Sequence, residues 1–215
     1  MSGTGSAELP APVPRDLWNY TIQYHDLVLL AVPAGCRRAL DVGSGTGLVT
    51  LKLARSSENV IGIDFDRQAL SMARVSREFA FDAEPASRVH FVEGDVLSAP
   101  FPPASFDFIS AVAALHHLPL RSALTLFRDL LRPGGTLAVI GLYRSQTITD
   151  FAMNVTAWPI SRVLRVARGC HQPATRKRAP QETLAEIRSA CREVLPGAVV
   201  KRLLLFRYSL IWRKP

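Results

Sequence analysis

RALDVGSGTG, residues 38–47, is the stretch that decides how the rest of the chain is read. Ala39, Leu40 and Val42 make a short apolar strand with one acid, Asp41, set inside it. Three glycines follow at G-x-G-x-G spacing: Gly43, Gly45 and Gly47. Glycine has no Cβ, so the backbone can turn sharply there and lie close against a ligand. The next residues, LVTLKLAR (48–55), have helical composition. A strand, a glycine turn and a helix start together suit a nucleotide-type cofactor. Taken alone, the turn is equally compatible with a plain tight turn, and the segments around it must decide.

The spacing narrows the cofactor. A dinucleotide cradle wants G-x-G-x-x-G, its third glycine packing helix on strand under a pyrophosphate. Leu48 holds that third position here. Asp41 would repel a pyrophosphate, whereas a cationic amino-acid cofactor would gain from it. S-adenosylmethionine carries a sulfonium and an ammonium group and fits that charge.

Working outward, NVIGIDFD (59–66) reads as a buried strand ending at Asp64 and Asp66. An acid at the end of the second strand, about 20 residues past the turn, is placed to accept ribose hydroxyls. Asp64 takes that role, and Asp66 caps a helix over 67–80. RVHFVEGD (88–95) and FDFISAV (106–112) are the third and fourth strands, the latter running into AALHHLP (113–119). A helix over 121–133, a Gly134-Gly135 stop and a fifth strand over 136–143 follow. Alternating strands and helices predict an α/β fold with a largely parallel sheet. Ligands in such sheets sit beyond the strand C-termini, where the strand order switches. Asp41, Asp64, Asp95, His116 and His117 all fall at or near such ends.

LDVGSGTG, GIDFD, EGDVLSAPFPPASFDFISAVAALHHL and LFRDLLRPGGTLAVI together resemble a class I S-adenosylmethionine-dependent methyltransferase. Within that class the likeness is to the small methyltransferase-domain group that includes quinone-biosynthesis C-methyltransferases. It spans about residues 38–143, with four motifs in order. The resemblance implies a Rossmann-like three-layer sandwich, its seven-stranded sheet mostly parallel with an antiparallel last strand. It places Asp41, Gly43, Ser44, Gly45, Thr46 and Gly47 around the methionine moiety. Asp64 lies at the ribose, Asp95 and Val96 at the adenine, and Phe65 is a further cofactor-binding residue. Ala111, Ala113 and His116 line the methyl-donor site, and Tyr24 or His25 on a lid helix faces the methionine carboxylate. Ser44 stands where the group usually has cysteine or alanine.

Length and composition set bounds. The chain's 215 residues suffice for one domain with its own core. Three scattered cysteines, Cys36, Cys170 and Cys191, suggest neither a disulfide framework nor a metal site and fit a reducing cytoplasm. No apolar run approaches a membrane span, and the N-terminus shows no signal pattern. Net charge is +8, and seven of the 26 lysines and arginines fall within 144–180 against one acid, Asp150. The expected organisation is a loose tail (1–16), a lid helix within 17–37, a cofactor core (38–143), a basic substrate cap (144–180) and closing elements (181–215). The closing elements read as a helix over 180–195 and strands over 198–206 and 208–214. By resemblance the two strands pair antiparallel, and one inserts into the sheet.

Within the cap, Ile160, Val163, Leu164 and Ala167 recur at helical spacing, with Arg162, Arg165 and Arg168 toward the other side. Three readings stay open: a solvated face, a lid for an anionic or lipid-like acceptor that touches a membrane surface, and an RNA patch. Methyl transfer is an in-line displacement, and a hydroxyl acceptor needs a base. His116 and His117 are the candidates, with His116 expected on the cofactor side and His117 structural. The sequence therefore predicts a methyltransferase acting on a small, lipid-like or secondary-metabolite acceptor. An RNA methyltransferase and a non-catalytic cofactor binder are the alternatives. An asparagine-proline-proline-aromatic signature and an appended RNA-binding domain are both missing, which makes a nucleic-acid partner the weaker reading.

Overall fold

A computed structural model describes residues 21–78, 83–145 and 178–215. The chain enters through a 3-10 turn, Ile22–Tyr24, and a short helix α1 (His25–Leu29). β1 (Cys36–Val42), α2 (Leu48–Leu53), β2 (Ser57–Asp64), α3 (Arg67–Glu78), α4 (Ala83–Ser87) and β3 (Val89–Glu93) follow. After β4 (Phe106–Val112) come a 3-10 turn (Leu115–His117), α5 (Leu120–Leu130) and β5 (Leu131–Leu142). The chain closes with α6 (Leu184–Val194), β6 (Val199–Leu203) and β7 (Arg207–Arg213).

Seven strands form one sheet in the order β3-β2-β1-β4-β5-β7-β6. The first five in that order run parallel, and β7 is antiparallel to both β5 and β6. β7 is the strand that inserts, between β5 and β6. Central parallel strands are covered on both faces, so their side chains are apolar at consecutive positions. Leu40, Ile109 and Val139 face a core built with Leu124 and Phe127 of α5 and Ile187 of α6. Their neighbours Ala39, Phe108 and Ile140 face the opposite core, against Val28 of α1 and Leu53 of α2. From β1 the chain steps outward to β2 and β3, then crosses to β4 on the other side. The switch point therefore lies at the C-terminal ends of β1 and β4.

Four boundaries of the core and closing elements differ from the expectation by three residues or more. α5 ends at Leu130, and β5 starts at Leu131 rather than at 136. Pro133 disfavours helical geometry at Arg132, and the fully buried Leu131 is already extended (φ −72°, ψ 142°). Gly134-Gly135 is thus no helix stop. Leu131 pairs with Phe106 and Thr136 with Phe108, so the residues between bulge out of the ladder. A Cβ on Gly135 would meet the Arg132 carbonyl at 2.9 Å. α6 starts at Leu184, not at 180, because Thr183 caps it in a reciprocal capping box with Glu186. β6 stops at Leu203, where a turn with Leu205 and Phe206 both at φ +59° leads into β7. The described part of the N-terminal helix is only the 3-10 turn and α1. Trp18, Tyr20 and the cap residues Ile160, Arg162, Val163, Leu164, Arg165, Ala167 and Arg168 lie outside the described residues. Among the described residues no helix is long and apolar enough to cross a membrane.

Candidate active site

The glycine turn leaves β1 with Gly43, Gly45 and Gly47 all at positive φ (68°, 52° and 81°). A Cβ on Gly43 would sit 2.4 Å from the Ala114 Cβ, and one on Gly47 2.7 Å from the Phe91 ring. The backbone thus passes where no side chain fits. Gly43 N–H and Ser44 N–H both donate to the Ile63 carbonyl, at 2.9 and 3.1 Å. Gly45 N–H donates to Asp64 Oδ2 at 2.8 Å. The turn is in this way sewn to the end of β2.

The acids at the strand ends have distinct surroundings. Asp41 is buried, and its two oxygens accept hydroxyl hydrogen bonds from Thr50 and Ser110, each at 2.7 Å. Burial pushes its carboxyl up to about 6; the two hydroxyls pull it down, and the Asp64 charge adds to the rise. Asp64 accepts from Gly45 N–H through one oxygen and from Asp66 N–H through the other, both at 2.8 Å. Asp66 Oδ1 accepts from Gln68 and Ala69 N–H at 3.0 and 3.1 Å and so caps α3. Asp95 is exposed after β3, where its Oδ1 accepts from Leu97 N–H at 2.9 Å.

These loops open onto a cleft of about 210 Å³ at the switch point. Asp41, Gly43, Ser44, Gly45, Thr46, Asp64, Phe65, Asp95, Val96, Ala113 and His117 line it. Phe65 stands 55% exposed at the cleft, an apolar ring in water. Ala113 leaves β4 at φ +53°, its N–H donating to the Ile140 carbonyl at 2.7 Å.

Four expected residues do not line the cleft. Gly47 lies beneath the turn against Phe91. Ala111 is fully buried inside the sheet, paired with Val42 and Val139. Tyr24 packs on the core beside Val28, and the buried His25 lines the cleft instead, with Thr21 and Ile22. His116 is not among the lining residues and His117 is, the reverse of what was expected of the histidine pair. The 3-10 turn sends adjacent side chains in different directions, and here it is His117 that meets the cleft. The two imidazoles lie 4.1 Å apart. Burial, the neighbouring His117 and the Arg178 charge lower His116 to about 4. Burial and Arg178 also hold His117 below the usual imidazole value, although Asp64 works against them. Arg178 Nη1 reaches toward the His117 carbonyl at 3.5 Å. His25 is lowered to about 4 by burial and by Lys52.

Thr50 and Ser110 escaped the sequence reading as partners of Asp41. The β1–β4 register, which sets Asp41 beside Ser110, is the signal that was lacking. Among the described residues no group of His, Cys, Asp and Glu could hold a metal ion.

A cofactor's fit can be judged from these residues. Carboxylates from three strand ends share the cleft with a turn in which Gly43 and Gly47 leave no room for a Cβ. On the same cleft His25 Nδ1 and Ser44 Oγ are buried without a hydrogen-bond partner among the described residues. Acceptors for ribose hydroxyls and negative charge for a sulfonium and an ammonium are what S-adenosylmethionine requires.

Known proteins agree. A family model described as a methyltransferase domain matches residues 40–139. An uncharacterized methyltransferase of Mycobacterium tuberculosis is 35% identical over 200 residues, covering 92% of this chain and 98% of its own. A ubiquinone biosynthesis O-methyltransferase of Ralstonia nicotianae is 31% identical over 121 residues, 56% of this chain and 49% of that one. A solved S-adenosylmethionine-dependent methyltransferase from Methanosarcina mazei superposes with a TM-score of 0.62 at 20% identity, over 92% of this chain and 99% of that one. Turn, acids, sheet order and relatives converge, and the chain belongs to the S-adenosylmethionine-dependent methyltransferases.

Proposed function

We propose that this enzyme methylates a hydroxyl group on a small, lipid-like or secondary-metabolite acceptor, with His117 as general base. The observation that carries this reading is the place of the His117 imidazole on the cleft, beside Ala113 and Ala114 at the end of β4. The relative named as an O-methyltransferase supports the choice of oxygen. When bound, S-adenosylmethionine supplies an electrophilic methyl group on its sulfonium.

The chain's own residues do the rest. Asp41 and the turn from Gly43 to Thr46 surround the methionine moiety. Asp64 accepts ribose hydroxyls through lone pairs that Gly45 and Asp66 leave open. Asp95, Val96 and Phe65 border the adenosine. His117 orients the acceptor hydroxyl and takes its proton as the oxygen attacks in line. Its lowered pKa keeps it unprotonated at neutral pH, ready to act. Thr21, Ile22 and His25 border the acceptor side of the cleft, and the basic composition of 144–180 suits an anionic acceptor or membrane surface. Free buried Cys36 and Cys191 are in keeping with a cytoplasmic setting.

A second reading, RNA methylation, draws on the seven basic residues within 144–180. Purified protein, labelled cofactor and cell extract separate the two. Label in the organic phase supports the small acceptor, label in RNA supports the alternative, and no transfer supports a non-catalytic binder. An acceptor screen by mass spectrometry then names the compound.

A further inference from the structure

The segment Thr21–His25 forms one wall of the cleft and is held at its two ends. Its C-terminal end is anchored by Val28, which is fully buried among Leu53, Phe108 and Ile140. Its N-terminal end is held by a residue 186 positions away in the chain. Arg207 Nε and Nη2 both donate to Thr21 Oγ1, at 3.2 and 3.0 Å. Between these anchors lie Ile22 and His25, both of which line the cleft.

Arg207 is itself fixed. It opens β7 opposite Leu142 and Leu203, at the C-terminal end of β5. Its Nη1 donates to the Leu205 carbonyl at 2.8 Å. That carbonyl belongs to the β6–β7 turn, where two bulky residues in succession adopt left-handed backbone. Such geometry persists only where the surroundings over-determine it. Here Arg207 grips the turn from one side, and Tyr143 N–H donates to the Phe206 carbonyl at 3.2 Å from the other. One guanidinium therefore links a strained turn to the cleft wall.

We propose that Arg207 is a positioning residue for the cofactor: by clamping Thr21 to the β6–β7 turn, it holds Ile22 and His25 over the cleft. The inference rests on the cleft being the cofactor site. It assigns a binding role to the closing hairpin, which lies outside all the cofactor motifs.

The test is a double-mutant cycle read by calorimetry with S-adenosylhomocysteine as the probe. Arg207→Met removes the clamp and keeps much of the side chain's bulk; Thr21→Val removes its acceptor at nearly constant shape. Each single variant is expected to bind the probe about tenfold more weakly, and the double variant no more weakly than Arg207→Met alone. Arg207→Lys, which can keep one hydrogen bond, should recover part of the loss. In the unliganded protein, amides of Ile22–Leu29 should exchange faster in Arg207→Met while those of β1 do not change. Affinity within twofold of wild type in both single variants, or losses that multiply in the double, overturns the proposal. If Arg207→Met fails to fold, Thr21→Val decides the matter by the same twofold criterion. Wild-type protein that binds no probe overturns the cofactor reading and this inference together; wild-type binding that neither variant disturbs overturns this inference alone.

Discussion

At the ends of β1 and β2, Asp41, Asp64 and Asp66 each accept two hydrogen bonds from nearby hydroxyl or backbone groups. At the cleft wall and the exit from β4, His25 and His116 instead each bury an Nδ1 atom with no partner among the described residues. The acidic half is braced within the protein, so its carboxylates are aimed before any ligand arrives and little ordering is left to the moment of binding. The histidine half carries desolvated imidazoles that burial holds neutral, each with a ring nitrogen that is costly to bury. Cofactor binding should thus depend on shape and bracing, and chemistry on protonation.

The largest expected effect tests the bracing. Gly43→Val places a branched side chain where even a Cβ meets Ala114 at 2.4 Å, on backbone at φ +68°. S-adenosylhomocysteine affinity should fall by about a hundredfold or more, since the clash and the left-handed strain act together. Calorimetry showing less than a threefold loss would mean that the turn is soft. Next comes His117→Gln, which should lower kcat by about a hundredfold or more while cofactor affinity holds, as expected for loss of a general base. His116→Gln should cost far less. Equal losses from the two substitutions would erase the functional distinction between the imidazoles.

A smaller effect is expected from Asp64→Ala. Hydrogen bonds to a charged group contribute roughly 1.5–3 kcal/mol each, so cofactor affinity should drop at least about tenfold. Because Gly45 and Asp66 N–H also lose their acceptor, the unliganded protein should melt several degrees lower. A lower melting point with unchanged affinity would make Asp64 a brace alone.

The mildest test uses pH. Folded Asp41 titrates near 6, above its ordinary 3.8, so between those values the folded state binds more protons than the unfolded one. Its contribution therefore falls as pH rises from about 4 to about 6. His25 and His116, lowered from 6.5 to about 4, bind fewer protons when folded and add stability over the same rise. Asp41→Asn should then gain more melting temperature than wild type between pH 4 and 6, and His25→Gln should gain less, by a few degrees each way. Parallel melting curves for all three proteins would remove the electrostatic contrast between the halves.

The amino-acid sequence by itself determined the glycine turn and the acids around it. Three glycines that turn at positive φ, acids at or near the ends of the first three strands, and Asp66 two residues past Asp64 as a helix cap are all local signals. They could be read because backbone conformation and strand burial depend on residues next to one another. Tertiary structure decided what depends on distant neighbours. Asp41 finds Ser110 only because β1 pairs with β4, and Arg207 finds Thr21 only because β7 inserts beside β5. His25 rather than Tyr24, and His117 rather than His116, face the cleft because the surrounding packing fixes how short helical turns are rotated. In turns of three to five residues, hydrophobic periodicity is too brief to specify that rotation.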